Sequence, residues 1–85
     1  MQTFTYTIRD KEGVHARPAG IVVAEARKYA SNATITSKGK TADLKRIFGV
    51  MGLCIKFGEE ITISVSGSDE QIAAEAIQKA FAMNL

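Results

Sequence analysis

The stretch Glu59–Met83, "EEITISVSGSDEQIAAEAIQKAFAM", holds in one continuous piece a half-buried strand, its stop and an amphipathic helix. Ile61, Ile63 and Val65 fall on one side of an extended chain and Thr62, Ser64 and Ser66 on the other, an alternation that predicts a strand burying a single face. Gly67 ends it. Ser68 and Gln71 then stand at capping-box spacing, and Asp69 and Glu70 lie where a helix dipole favours negative charge. Ile72, Ala73, Ala76, Ile77, Ala80 and Phe81 recur at helical steps beyond them. A strand with one apolar face needs cover on that face alone, and a helix of this kind supplies it.

Working outward, the same pattern repeats. In "TFTYTI" Phe4, Tyr6 and Ile8 alternate with Thr3, Thr5 and Thr7, which predicts another single-faced strand. From Ala16 to about Ala30 the positions Ala19, Val22, Val23, Ala26 and Ala30 predict an amphipathic helix, with Pro18 near its front where proline is tolerated. "NATITS" alternates through Ala33 and Ile35, "SKGK" supplies a tight turn with Gly39 available for positive φ, and "TAD" can pair back as a short strand. "KRIFGVMGL" places Ile47, Val50 and Met51 at helical spacing, but Gly49 and Gly52 limit it to one or two turns. The order is β-α-β-β-(short α)-β-α. The expected fold is α+β: a four-stranded antiparallel sheet with helices packed on one face, an open-faced sandwich.

At 85 residues the chain has room for one domain, 1–85, burying somewhat over ~60% of the surface its unfolded form exposes. Apolar residues at 46% and charged residues at 24% are ordinary for a globular protein. "AGIVVA" and "IFGVMGLCI" fall short of the ~20 residues a membrane span needs, and "MQTFTYTIRD" does not read as a secretion signal. Cys54, the single cysteine, has no partner for a disulfide or a thiol pair. A cytoplasmic protein without stable membrane association is expected. Flanked by Leu53 and Ile55, Cys54 itself is expected to be a small buried hydrophobe.

The net charge of +2 is unevenly spread. Residues 1–46 hold nine Lys/Arg against four Asp/Glu, a balance of +5, and residues 47–85 hold two against five, a balance of −3. Such a bias can attract a phosphate or an acidic surface. No basic run is interleaved with aromatics, so nucleic acid is not an expected partner.

The only histidine, His15, stands in "GVHARPAG", Gly13–Gly20, at the start of the first predicted helix. Gly13 permits an unusual turn, His15 falls at or next to the N-cap, and the N–H groups of Ala16 and Arg17 lack intrahelical acceptors. The dipole at that end disfavours an imidazolium, so the ring is expected as a neutral nucleophile. A phosphoryl group attached to it would be favoured by the same dipole and N–H groups and by Arg17. Metal binding is not expected, because one histidine and a distant Cys54 are too few zinc ligands. No Ser/His/acid order supports hydrolysis, and the sequence does not choose between Asp10 and Glu12 as an orienting carboxylate. For an arbitrary histidine at a helix start, simple solvent exposure would be the commoner meaning.

"GVHARPAG" resembles the signature of the HPr family, the histidine-containing phosphocarriers of the bacterial phosphoenolpyruvate–sugar phosphotransferase system. The family pattern is Gly-hydrophobic-His-x-Arg-Pro-Ala/Ser, and every position matches. Chain length, the order of elements, "SKGK" and "LKRIFGVMGL" extend the resemblance over the whole sequence. It implies a carrier rather than an enzyme, needing no cofactor. A phosphoryl group would pass from phosphorylated enzyme I to Nδ1 of His15 and on to the IIA domains of sugar permeases. It further implies that Ala16, Arg17 and Pro18 build the phosphoryl-stabilising helix start. Partners would dock on Gly20, Ala24 and Arg27 of the first helix and Ile47, Phe48, Met51 and Gly52 of the short one. A monomer is expected, since a carrier shows one face to two partners in turn.

One position departs from the pattern. Where relatives of the Gram-positive type have a serine phosphorylated by a regulatory kinase, this chain has Arg46. Arginine has no hydroxyl to modify, and it sets a permanent positive charge where the modified serine would carry about −2, so the regulatory complex that recognises the phosphoserine is expected to be lost or changed. Two other readings remain at this stage: a phosphorylation-dependent regulatory module on the same fold, and a redox or metal module centred on Cys54 and His15.

Overall fold

A computed structural model describes residues 1–85. The elements run β1 Gln2–Thr7, α1 Ala16–Ala26, β2 Asn32–Ser37, β3 Lys40–Asp43, α2 Ile47–Met51, β4 Glu60–Ser66 and α3 Glu70–Asn84. The four strands form one sheet in the order β1-β4-β2-β3, every neighbouring pair antiparallel. β4, the strand with the clearest alternation, is flanked on both sides.

Its register sorts the side chains. Ile63 of β4 stands opposite Phe4 of β1 and Ile35 of β2, and Ile35 opposite Ala42 of β3, so one apolar row crosses the sheet. One residue along, Thr62 faces Thr5 and Thr36, and Thr36 faces Thr41, giving a hydroxyl row on the opposite side. The Thr36 and Thr41 hydroxyls lie 2.9 Å apart. A face made of hydroxyls gains little from a second covering layer, which is why the sandwich stays open.

The apolar face is covered by α1 and α3. Ala19, Val22, Val23 and Ala26 of α1 and Ala73, Ala74, Ile77, Ala80 and Phe81 of α3 join Ile35, Ile61, Ile63 and Val65 in one buried cluster. Phe81 also meets Tyr6, with ring centroids 5.7 Å apart. Ile72 is exposed, contrary to its place in the periodic set. Five positions before Ile77, it lies ~140° around the helix from the centre of the buried stripe.

Three local expectations differ from the structure. α1 ends at Ala26, not near Ala30: Lys28 N bonds Glu25 O and Tyr29 N bonds Ala26 O, a tightened turn that releases the chain toward β2. α3 does not use Ser68 as its cap. Asp69 occupies that place, and its carboxylate accepts hydrogen bonds from the Ala30 and Ser31 amides and the Ser31 hydroxyl, while Glu70 reaches back to the Gly67 amide. Cys54 is exposed, with φ +52. Its amide bonds Met51 O as the chain leaves α2, and the turn points the thiol outward while Ile55 enters the core.

The β2–β3 connection matches the sequence reading. Ser37 pairs with Lys40, and the two residues between, Lys38 and Gly39, have φ of 52° and 79°. Positive φ at both central positions is the turn whose twist suits a two-residue hairpin.

Candidate functional site

The loop before α1 is built by close backbone approach. Gly13 has φ +73, and a Cβ there would lie 2.5 Å from Ile55 O and 2.9 Å from Lys56 Cα. Only glycine permits that approach, which lets the Val14 amide bond Ile55 O at 2.9 Å. Val14 is buried, so the next residue is presented from a fixed base.

That residue, His15, is the N-cap of α1, with extended φ −115 and ψ 177 and no side-chain capping bond. Its carbonyl accepts the Ala19 amide, while the imidazole stays out of the helix framework. Nε2 lies 3.3 Å from Asp10 Oδ2, and Nδ1 has no partner in the protein. The His15 side chain is 37% exposed, accessible yet held. Pro18, third in the helix, is buried and loses no intrahelical bond by lacking an N–H. Ala16 and Arg17, the two residues that follow His15, are exposed, and the Arg17 side chain makes no ion pair or hydrogen bond within the chain. Its guanidinium is free to meet an anion.

Asp10, which the sequence left unassigned, is held from several sides. Its amide donates to Leu85 O at 2.9 Å, its carbonyl accepts the Gly13 amide at 2.9 Å, and Oδ1 accepts the Glu12 amide at 2.9 Å. Oδ2 is thereby left to His15. The Glu12 amide first, and the His15 ring after it, hold the Asp10 carboxyl below the usual carboxylate value. No spacing rule announces this contact, because the end of α3 helps to fix it. Asp10, Glu12 and His15 also bring three potential ligand atoms within 4.8 Å of one another, where the sequence count saw a single histidine.

The residues expected to meet partners are only partly gathered. Gly20 faces Ile47, whose Cδ1 would lie 3.7 Å from a Cβ at Gly20, so α1 and α2 touch there. Arg27, Lys45, Arg46, Ile47 and Phe48 line a groove of about 510 Å³. Phe48 is 88% exposed, whereas Ile47 and Met51 are half-buried and Val50 wholly buried. Ala24 and Gly52 are exposed but lie outside the groove. Lys45 was not anticipated from sequence: Nζ donates to Tyr29 O at 2.7 Å, tying the loop before α2 to the turn that follows α1.

A family model described as "PTS HPr component phosphorylation site" matches residues 2–83. The phosphocarrier protein HPr of Mycoplasma capricolum subsp. capricolum is 46% identical over 79 residues, which cover 93% of this chain and 89% of that protein. The phosphocarrier protein HPr of Lysinibacillus sphaericus is 46% identical over 77 residues, 91% of this chain and 88% of that one. A solved structure of a mycoplasma histidine-containing phosphocarrier protein shares 44% of its sequence with this chain, with a TM-score of 0.91 over 93% of this chain and 90% of that one. On these grounds the chain belongs to the HPr family, the phosphocarrier proteins of the phosphoenolpyruvate–sugar phosphotransferase system, which carry a phosphoryl group and are not themselves catalysts.

Proposed function

We propose that His15 accepts a phosphoryl group on Nδ1 from phosphorylated enzyme I and donates it to IIA domains of sugar permeases. The observation that carries this reading is the state of the ring: an accessible histidine at a helix N-cap, Nε2 engaged by Asp10 and Nδ1 unpartnered. The attached group would meet the N–H groups of Ala16 and Arg17 and the unpaired Arg17 guanidinium, all suited to its negative charge. Pro18 fixes the turn from which they project. Docking uses the α1–α2 side, where Gly20, Ala24, Ile47, Phe48, Met51 and Gly52 supply small or apolar contact and Arg27 supplies charge, a surface fit for brief encounters. The protein acts as a cytoplasmic monomer. Arg46, with no hydroxyl, takes no part in control by a serine kinase.

The test is intact mass after incubation with phosphoenolpyruvate, Mg²⁺ and enzyme I. Wild type gains one acid-labile phosphoryl group and passes it to a IIA domain; His15→Ala gains none. Failure of the wild type with an enzyme I from the same source overturns the reading.

A further inference from the structure

We infer that Asp10 is a positioning residue for His15, holding the proton on Nε2 so that Nδ1 keeps its lone pair before phosphorylation and the ring leaves phosphorus as a neutral group afterwards. The first half rests on geometry. The second rests on the carrier function proposed above.

A neutral imidazole carries one N–H and one lone pair, and the partner of one nitrogen decides which it is. An ionised carboxylate can only accept, so Oδ2 at 3.3 Å from Nε2 selects the Nε2–H form. Asp10 cannot readily turn away. Leu85 O, the Gly13 amide and the Glu12 amide hold its backbone and its other oxygen. Glu12, the second carboxylate of the cluster, makes no side-chain hydrogen bond or ion pair to the ring. The sequence offered both acids, and the structure assigns the contact to one.

The selection has a consequence for both directions of transfer. When Nδ1 attacks phosphorus, its lone pair forms the new N–P bond as the donor's bond to phosphorus breaks, and the ring keeps its Nε2 proton and becomes cationic. The Asp10 carboxylate faces that charge. When an acceptor nucleophile attacks, the N–P electrons return to Nδ1, and the neutral Nε2–H ring with which the cycle began is restored. No proton needs to enter or leave His15. Were the Nε2 proton absent, the ring would have to depart as an anion, a far poorer leaving group.

Asp10→Asn is the decisive variant. If its side-chain oxygen keeps the Glu12 amide, its NH₂ turns to the ring, and a donor there selects the opposite form, with the proton on Nδ1. ¹⁵N spectra of labelled histidine in the unmodified protein at pH 8 are expected to show Nε2–H nearly alone in wild type, Nδ1–H gaining in Asp10→Asn, and a mixture typical of an unpartnered histidine in Asp10→Ala. With enzyme I, the initial rate of phosphoryl acceptance by Asp10→Asn is expected to fall about tenfold, the worth of roughly one hydrogen bond. Glu12→Gln should leave the spectra and the rate as in wild type. A wild-type tautomer in a folded Asp10→Asn protein overturns the assignment, and a shifted tautomer with an unchanged rate overturns its role in transfer. The spectra need no partner protein. If wild type shows the expected tautomer yet takes up no phosphoryl group, the positioning stands and the carrier reading falls.

Discussion

Cys54 occupies left-handed backbone, φ +52, that a side chain adopts only at a cost of roughly 1–2 kcal/mol. Glycine removes that cost but loses more freedom on folding, roughly 0.5–1 kcal/mol. Since the thiol is exposed and packs nothing into the core, Cys54→Gly is expected to stabilise the protein by about 0.5–1 kcal/mol, read as a higher urea midpoint with an unchanged slope. The sequence alone pointed the other way, because Leu53 and Ile55 suggest a buried neighbour. What decides exposure is the turn leaving α2, and hydrophobicity does not encode that turn. His15 is the opposite case: its position at a helix start was legible from Pro18 and the apolar repeat behind it, whereas its contact with Asp10 depends on the fold closing.

Among the elements, the junction of α1 with β2 and of β4 with α3 is held by one carboxylate. Asp69 accepts bonds from the Ala30 and Ser31 amides and from the buried Ser31 hydroxyl, and these hold its carboxyl below the ordinary value of 3.8, the Ser31 hydroxyl first and the Ala30 amide next. A group whose folded value is depressed stabilises the fold above its unfolded value and loses that contribution as pH falls through the folded one. Ser31→Ala removes a hydroxyl donor to a charged acceptor and is expected to cost about 1–2 kcal/mol at neutral pH. The deficit should shrink as pH is lowered from 5 through 3.8 and below, measured as the gap between the two proteins' urea midpoints. The strands and helices were legible because their periods of two and about 3.6 are written locally. The cap of α3 was not. Ser68 with Gln71 satisfies the local pattern, but Asp69 takes the cap position and its side chain bonds residues 38 and 39 positions earlier, a long-range choice.

Across the whole molecule, charge and exposed apolar surface converge near the end of α1 and α2. Arg27, Lys45 and Arg46 border the groove with only Asp43 against them, and the Arg46–Asp43 pair, at 4.0 Å and well exposed, offsets little of their charge. With docking on this side as proposed above, encounter should therefore weaken with salt: phosphoryl uptake from enzyme I below saturation is expected to slow several-fold between about 0.05 and 0.5 M NaCl, as the Debye length contracts from over ~10 Å to a few ångströms. Arg27→Gln should flatten that slope. A slope unchanged by this substitution would place the steering charge elsewhere.

The hydroxyl rows on the uncovered side of the sheet complete this division of the molecule. Thr5, Thr62, Thr36 and Thr41 form a wettable back, without the apolar patch that would draw a neighbour. The residues proposed to carry and dock lie elsewhere, at the start of α1 and along α2. The protein thus has a side by which it can be held: a tether, a label or a fused domain placed on the threonine side leaves the histidine and its approach uncovered.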